Sequence, residues 1–326
     1  MTVIDFHTHY YPPEYLAALE KGPSNVHISR DGEGNPVLHY PGDYNVAVAG
    51  HRDVVFRESD VTARGVDLQV LTLTTPGTHV ESPAVAVKLA ALTNDALARV
   101  AWERAAHFSA LATLPLNDPA ASVRELKRAR RELGLAGAML FSNVNGVPLA
   151  DERFWPLYEA ANDLDAVFFI HPTSPLGVEA MTEYWLMPLV GFLFGTTLAA
   201  AHLVMSGVPE RFPRIRWVLA HLGGAIPYLA ERLDRGYEAF PECRARIHQP
   251  PSHFLKRFYY DTVNFDAAAL ALAIRFAGAD HSLAGSDYPH RIGSIENMRE
   301  SIAVLDVPEA ERQGILGANA RRLLGL

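Results

Sequence analysis

Residues 166–172 read Ala166-Val167-Phe168-Phe169-Ile170-His171-Pro172, an unbroken apolar run closed by a histidine and a proline. A strand with one wet face alternates apolar and polar side chains. A continuous apolar run predicts instead a strand covered on both faces, as in a parallel sheet. Proline ends such a strand, because it cannot donate to the ladder, and so His171 is left at the C-terminal tip. Comparable runs lie at 3–7, 68–74, 108–114, 136–141, 217–221, 258–261 and 282–286. Helix-like patterns separate them, at 83–106, 119–132 and 154–163 for example. Ser82 before Pro83 and Asp118 before Pro119 read as caps with proline in the first turn, and Asp151 precedes the third segment similarly. Eight strands alternating with helices predict an α/β fold, a (β/α)8 TIM barrel, as a single domain over 1–326.

Residues 22–51 break the alternation. They are rich in Gly, Pro, Asn and Asp, with short β-like pieces at 26–29 and 37–40. This is the pattern of a small β-lid inserted after the first strand, over the barrel mouth. Residues 314–326 predict a closing helix.

Composition narrows the function. The chain has 326 residues, 49% hydrophobic and 20% charged, with a net charge of −8. That balance disfavours a nucleic-acid surface, which needs a basic stripe. The lone Cys243 cannot form an internal disulfide, and Asp5, His7 and His9 interrupt any apolar leader near the N-terminus. Both points lead us to expect a cytoplasmic protein. No Asp, Glu, Lys or Arg occurs between Glu183 and Glu210. Pro188, Gly191, Gly195, His202 and Ser206 break that stretch, so we expect a buried helix used in subunit contact rather than a membrane span.

The chemistry-bearing residues sit at the ends of predicted strands. His7 and His9 follow the first run; being two apart on an extended strand, they point to one side and can reach one ion. His171 ends the fifth run, His221 the sixth, and Asp287 follows the eighth in Ala284-Gly285-Ser286-Asp287-Tyr288-Pro289. In a barrel all these tips converge on one mouth. Three imidazoles and a carboxylate suit one divalent ion, Zn²⁺ first and Mn²⁺ second. His221 reads better as an acid/base than as a fourth imidazole ligand, and the glycines after it, Gly223 and Gly224, as room for close approach by backbone or substrate. Trp185, Phe192 and Tyr288 are candidates for an aromatic pocket.

These residues carry a resemblance. Residues 5–9, His171-Pro172, the 185–227 region and 285–289 resemble the amidohydrolase-related decarboxylases, the branch typified by α-amino-β-carboxymuconate-ε-semialdehyde, 6-methylsalicylate and γ-resorcylate decarboxylases. The resemblance implies that His7, His9, His171 and Asp287 ligate one metal, with His221 beside it. It implies substrate-carboxylate arginines at Arg57 and at Arg232, the second contributed across a homodimer interface. Some relatives carry Phe where this chain has His290, which makes His290 a candidate substrate contact. The two-metal hydrolases of the superfamily use a carboxylated lysine after the fourth strand; here Ala138-Met139-Leu140-Phe141-Ser142-Asn143 offers none.

The expected activity is therefore nonoxidative decarboxylation of an aromatic or conjugated carboxylic acid, a small-molecule substrate. His221 and Asp287 are the expected proton-handling residues. A metal-dependent hydrolase of a lactone, amide or C–C bond is the alternative on the same scaffold, and a noncatalytic barrel with a structural metal is the third.

Overall fold

The computed structural model describes residues 2–326. Its eight parallel strands are β1 (Ile4–His9), β2 (Leu68–Thr72), β3 (Phe108–Ala110), β4 (Gly137–Phe141), β5 (Val167–His171), β6 (Arg216–Leu219), β7 (Tyr259–Asp261) and β8 (Ser282–Leu283). β1, β2 and β3 pair in sequence order, as do β4 through β8. Two seams close the ring: Ala112 bridges to Ala138 beyond β3, and Phe6 N and Asp287 N exchange bonds with Ala284 O and His7 O, at 2.8 and 2.9 Å. The barrel is complete, and each predicted run overlaps one of its strands, with β1 running two residues beyond 3–7 and β6 starting one residue before 217–221.

Alternation along β5 shows why both faces had to be apolar. Phe169 points into the barrel, where its ring meets Phe6 at 5.5 Å and His7 at 5.0 Å. Phe168 points outward onto Tyr158 of the helix Trp155–Asp163 and onto Trp217 of β6, at 6.3 and 5.5 Å. All these side chains are buried. Truncating either phenylalanine to alanine would cost about 3–5 kcal/mol.

The helix starts follow the caps in part. Asp118 accepts from Ala121 N and Asp151 from Arg153 N, but Ser82 makes no side-chain cap bond, and Pro83 alone opens Pro83–Glu103. The insertion after β1 forms three antiparallel strands, His27–Arg30, Pro36–Tyr40 and Asp43–Val46. It leans on the loop after β2, where the Tyr40 hydroxyl meets Thr75 Oγ1 at 2.9 Å. The closing segment is the wide π-helical turn Gly314–Ala318 running into the helix Asn319–Leu324. From there the Asn319 amide donates to Ala279 O and Ser282 O, pinning the start of β8.

The charge-free stretch is helical from Met187 to Met205, long and apolar enough to cross a membrane. Ala199, Ala200, Leu203 and Val204 are buried in the core, whereas Leu189, Val190, Phe194 and Leu198 stand exposed.

Candidate metal centre

The tips of β1, β5 and β8 bring together His7, His9, His171 and Asp287, each offering one ligand atom, all within 4.8 Å of one another. His7 Nε2 and His9 Nε2 lie 3.1 Å apart, and Asp287 Oδ1 is 3.4 and 3.1 Å from them. His171 Nε2 is buried with no hydrogen-bond partner.

What turns this cluster into a cation site is the other nitrogen of each ring. His7 Nδ1 bonds to Asp261 Oδ2 at 2.5 Å, and His171 Nδ1 to the Pro172 carbonyl at 2.8 Å. His9 Nδ1 lies 3.2 Å from the Thr72 hydroxyl, whose own proton goes to the Thr8 carbonyl at 2.7 Å. The carboxylate, the carbonyl and that hydroxyl oxygen must all accept, so each Nδ1 carries the proton. Each Nε2 then presents a lone pair to the same point. Three converging lone pairs and a carboxylate oxygen repel one another unless a cation sits among them, and such partners are what orient metal-ligating imidazoles. The residues fit one divalent ion.

Charge at the site follows the same pattern. Burial opposes ionisation of Asp287, but the imidazoles of His221, His9, His290 and His7 gathered around it outweigh burial and hold the carboxyl well below its usual range. Burial drives His9 and His171 well below the ordinary imidazole range. For His7 burial acts the same way, but the Asp261 charge and hydrogen bond overcome it and raise its pKa.

Asp261, at the tip of β7, had no part in the reading of the sequence and turns out to be central. Besides His7 it accepts from the backbone N–H groups of His221 and Leu222, at 3.0 and 2.8 Å, and of Val263 at 3.0 Å. His221 and Leu222 have φ of 54° and 57°, a left-handed backbone that costs non-glycine residues about 1–3 kcal/mol each. Asp261 holds that turn in place. A chemistry-bearing residue at the end of an apolar strand was the available signal, in Phe258-Tyr259-Tyr260-Asp261.

His221 therefore stands just beyond β6, in the turn His221–Gly223, with Nε2 3.8 Å from Asp287 Oδ2 and Nδ1 unpartnered. Gly223 and Gly224 allow close approach by the protein's own neighbours, backbone included, as the first of the two expected uses. A Cβ on Gly223 would strike the Tyr260 ring at 2.5 Å, and one on Gly224 the Leu193 carbonyl at 2.2 Å. They let the turn pack on its neighbours.

The remaining candidates divide. His290 comes to the site, its ring 4.8 Å from His9. Phe192 reaches His171 at 6.4 Å. Trp185 lies at the rim, exposed, edge-on to Tyr44 of the lid at 5.8 Å. Arg232 is exposed on the helix Ile226–Ala239.

Arg57 and Tyr288 go elsewhere. Arg57 is fully buried, its Nε donating to Gln69 at 2.7 Å and its Nη1 to the carbonyls of His9 and Gly50. Its guanidinium covers the Tyr288 ring at 4.9 Å, and the Tyr288 hydroxyl donates to Asp60 at 2.9 Å. These contacts correct the expectation for Arg57, which belongs to the barrel wall behind β1; Tyr288 packs against it there and also lines, with His290, a cavity beside the site. Gln69 continues the wall by donating to Asp5, which also accepts from Ser286 N and Oγ; burial pushes the Asp5 carboxyl up to about 6.

The amidohydrolase family model matches residues 4–326. The chain belongs to that family. It is 31% identical over 328 residues to the 2-amino-3-carboxymuconate-6-semialdehyde decarboxylase of Dictyostelium discoideum, covering 99% of this chain and 91% of the other. The crystal structure of 5-carboxyvanillate decarboxylase from Sphingomonas paucimobilis superposes with a TM-score of 0.88 at 24% identity, covering 100% and 99% of the two chains. That of a dihydroxybenzoic acid decarboxylase from Polaromonas, with bound manganese and the inhibitor 2-nitroresorcinol, gives 0.83 at 25% identity, covering 100% and 97%.

Proposed function

We propose that this amidohydrolase is a metal-dependent nonoxidative decarboxylase of an aromatic or conjugated carboxylic acid. The observation that carries the proposal is a free proton-handling imidazole, His221, held by Asp261 against a site whose three ligand rings are already locked in their metal-binding tautomer. His7, His9, His171 and Asp287 would hold the ion; when bound it supplies a Lewis acid and a template for substrate oxygens.

The protein's share is proton delivery and orientation. Cleaving the bond between the carboxylate and the ring leaves the electron pair on the ring carbon and releases CO₂. A proton must reach that carbon. His221 hands it over and is left as the neutral imidazole, the general-acid part of the exchange, while Asp287, held ionised among the ligands, can take up a proton but has none to give. Phe192 and Trp185 wall the aromatic portion, and the lid excludes water.

Zinc is the proposed ion on the donor set of three nitrogens and one oxygen; the manganese in the Polaromonas relative makes Mn²⁺ the competitor. We further propose a homodimer. Tyr184, Trp185, Leu189, Val190, Phe194, Leu198 and Tyr228 form an exposed apolar surface around Met187–Met205 and the helix carrying Arg232, and a partner's Arg232 would supply the carboxylate contact that buried Arg57 does not.

Supplying metal-loaded protein with a panel of hydroxybenzoates and dienoate semialdehydes tests the activity. CO₂ release that falls about 10²–10⁴-fold in His221→Ala, with metal content unchanged, is the expected result. Hydrolysis of lactones or amides without CO₂ from any acid would assign the scaffold to a hydrolase.

A further inference from the structure

Asp287 is the one carboxylate among the four ligands, and it leaves β8 on a left-handed backbone with φ of 60°. A residue with a side chain keeps that backbone only where its surroundings hold it there. Its two oxygens also face different ways. Oδ1 lies 3.4 and 3.1 Å from Nε2 of His7 and His9, whereas Oδ2 lies 3.8 Å from Nε2 of His221. A carboxylate shared between an ion and a proton-handling imidazole needs its turn fixed.

The bonds that fix it come from the wall behind β1. Asp5 Oδ1 accepts from Ser286 N at 2.9 Å and Asp5 Oδ2 from Ser286 Oγ at 2.5 Å. The same hydroxyl accepts from Tyr288 N at 3.1 Å, so Asp287 is clasped on both sides by bonds that end at one carboxylate. Asp5 also takes a bond from Gln69 Nε2 at 2.8 Å, and Gln69 Oε1 takes one from Arg57 Nε at 2.7 Å. A guanidinium can only donate, so it turns the amide oxygen toward itself and the amide N–H toward Asp5. The carboxylate then only accepts, and the Ser286 hydroxyl must donate to it while offering a lone pair to Tyr288 N. The direction of every bond in the file follows from the charge at its far end. The other arm of Arg57, Nη1, donates to the carbonyl of His9, a second ligand.

We propose that the file Arg57–Gln69–Asp5–Ser286 is a positioning device for the metal centre, acting through the backbone of Asp287 and of His9. Arg57 thereby governs how the ion is held without touching substrate. The proposal rests on the reading of His7, His9, His171 and Asp287 as ligands and on no particular substrate. Arg57, Gln69, Asp5 and Ser286 are all fully buried, so water does not compete for their bonds. As packing, such a file has little to recommend it, because apolar side chains of like volume stabilise a fold as well or better. What it adds is direction, imposed on the one ligand whose backbone is strained.

The test is Zn²⁺ affinity by chelator competition, together with the visible spectrum of the Co²⁺-loaded protein, which reports ligand geometry. The wild type is compared with Gln69→Leu, which cuts the file, and with the milder Ser286→Ala, which removes one hydroxyl. Asn94→Ala serves as the control. It breaks buried bonds to Thr113 and Glu125 between two outer helices, away from the site. The expected result is an affinity about tenfold lower in Ser286→Ala and about 100-fold lower in Gln69→Leu, with altered Co²⁺ bands in both. Asn94→Ala should melt earlier yet bind both ions as the wild type does. If Gln69→Leu does not fold, Ser286→Ala decides. Wild-type affinity and spectrum in the file variants, or an equal loss in Asn94→Ala, would overturn the positioning role and leave the metal centre standing. A wild type that binds neither ion would remove the metal centre and the proposal together.

Discussion

At the tips of β1 and β5 every metal-facing imidazole has its second nitrogen tied to a fixed oxygen, whereas around the mouth Tyr44 of the lid, Trp185, and Phe194 and Leu198 of the helix Phe192–Met205 stand exposed. The inner ring is over-determined. His7 alone answers to Asp261, Asp287 and its own strand, and Asp261 also ties down the His221 turn. The lid meets the 174–185 segment through an edge contact between Trp185 and Tyr44 and a weak bond at 3.4 Å from Ser174 Oγ to the Pro41 carbonyl. A metal centre needs its donors pre-set, because moving an imidazole or changing its tautomer costs affinity. A rim that admits substrate needs the opposite.

The sharpest way to break that contrast is to remove a ligand. His171→Ala should lose its metal on gel filtration and release CO₂ at the uncatalysed baseline, with elemental analysis as the check; a variant that keeps one ion per chain would show that His171 is not a ligand. A smaller effect should follow from Asp261→Asn. The amide can still accept at one position but no longer holds His7 by charge, so metal affinity should fall about 10–100-fold in a chelator competition. An unchanged affinity would mean that the Nδ1 partners do not set the ring. The rim should respond least. Arg232→Ala should raise KM with little change in metal content, and mixing its subunits with those of His171→Ala should restore the wild-type KM to up to about a quarter of the sites if each site borrows its arginine from a C₂ partner. A mixture that shows only the raised KM would argue against contribution across the interface.

Much of the inner ring was legible because strand tips in a parallel barrel are converging positions whatever lies between them. An apolar run that ends in His or Asp names such a tip directly, and His7, His9, His171, His221 and Asp287 all met that rule. Arg57 was misread because a guanidinium beside a barrel strand looks alike in sequence whether it faces substrate or packs beneath a carbonyl. Its partners, Gln69 and the carbonyls of His9 and Gly50, include groups a one-dimensional reading cannot address. The glycines after His221 were open to backbone or to substrate, and packing against Tyr260 and the Leu193 carbonyl decided between the two. Asp261 was passed over although its strand had been found.

What the order of residues determined by itself is the barrel and its ring of donors. Period and length of apolar runs dictate parallel strands, and closure of eight of them brings every tip to one mouth. What only the folded chain decided is which nitrogen of each ring faces inward, and which charges serve the wall instead of the site. Those outcomes depend on hydrogen bonds between side chains as far as 281 residues apart, such as Asp5 with Ser286, and on burial that decides whether a charge can meet water. Neither quantity exists until the elements pack.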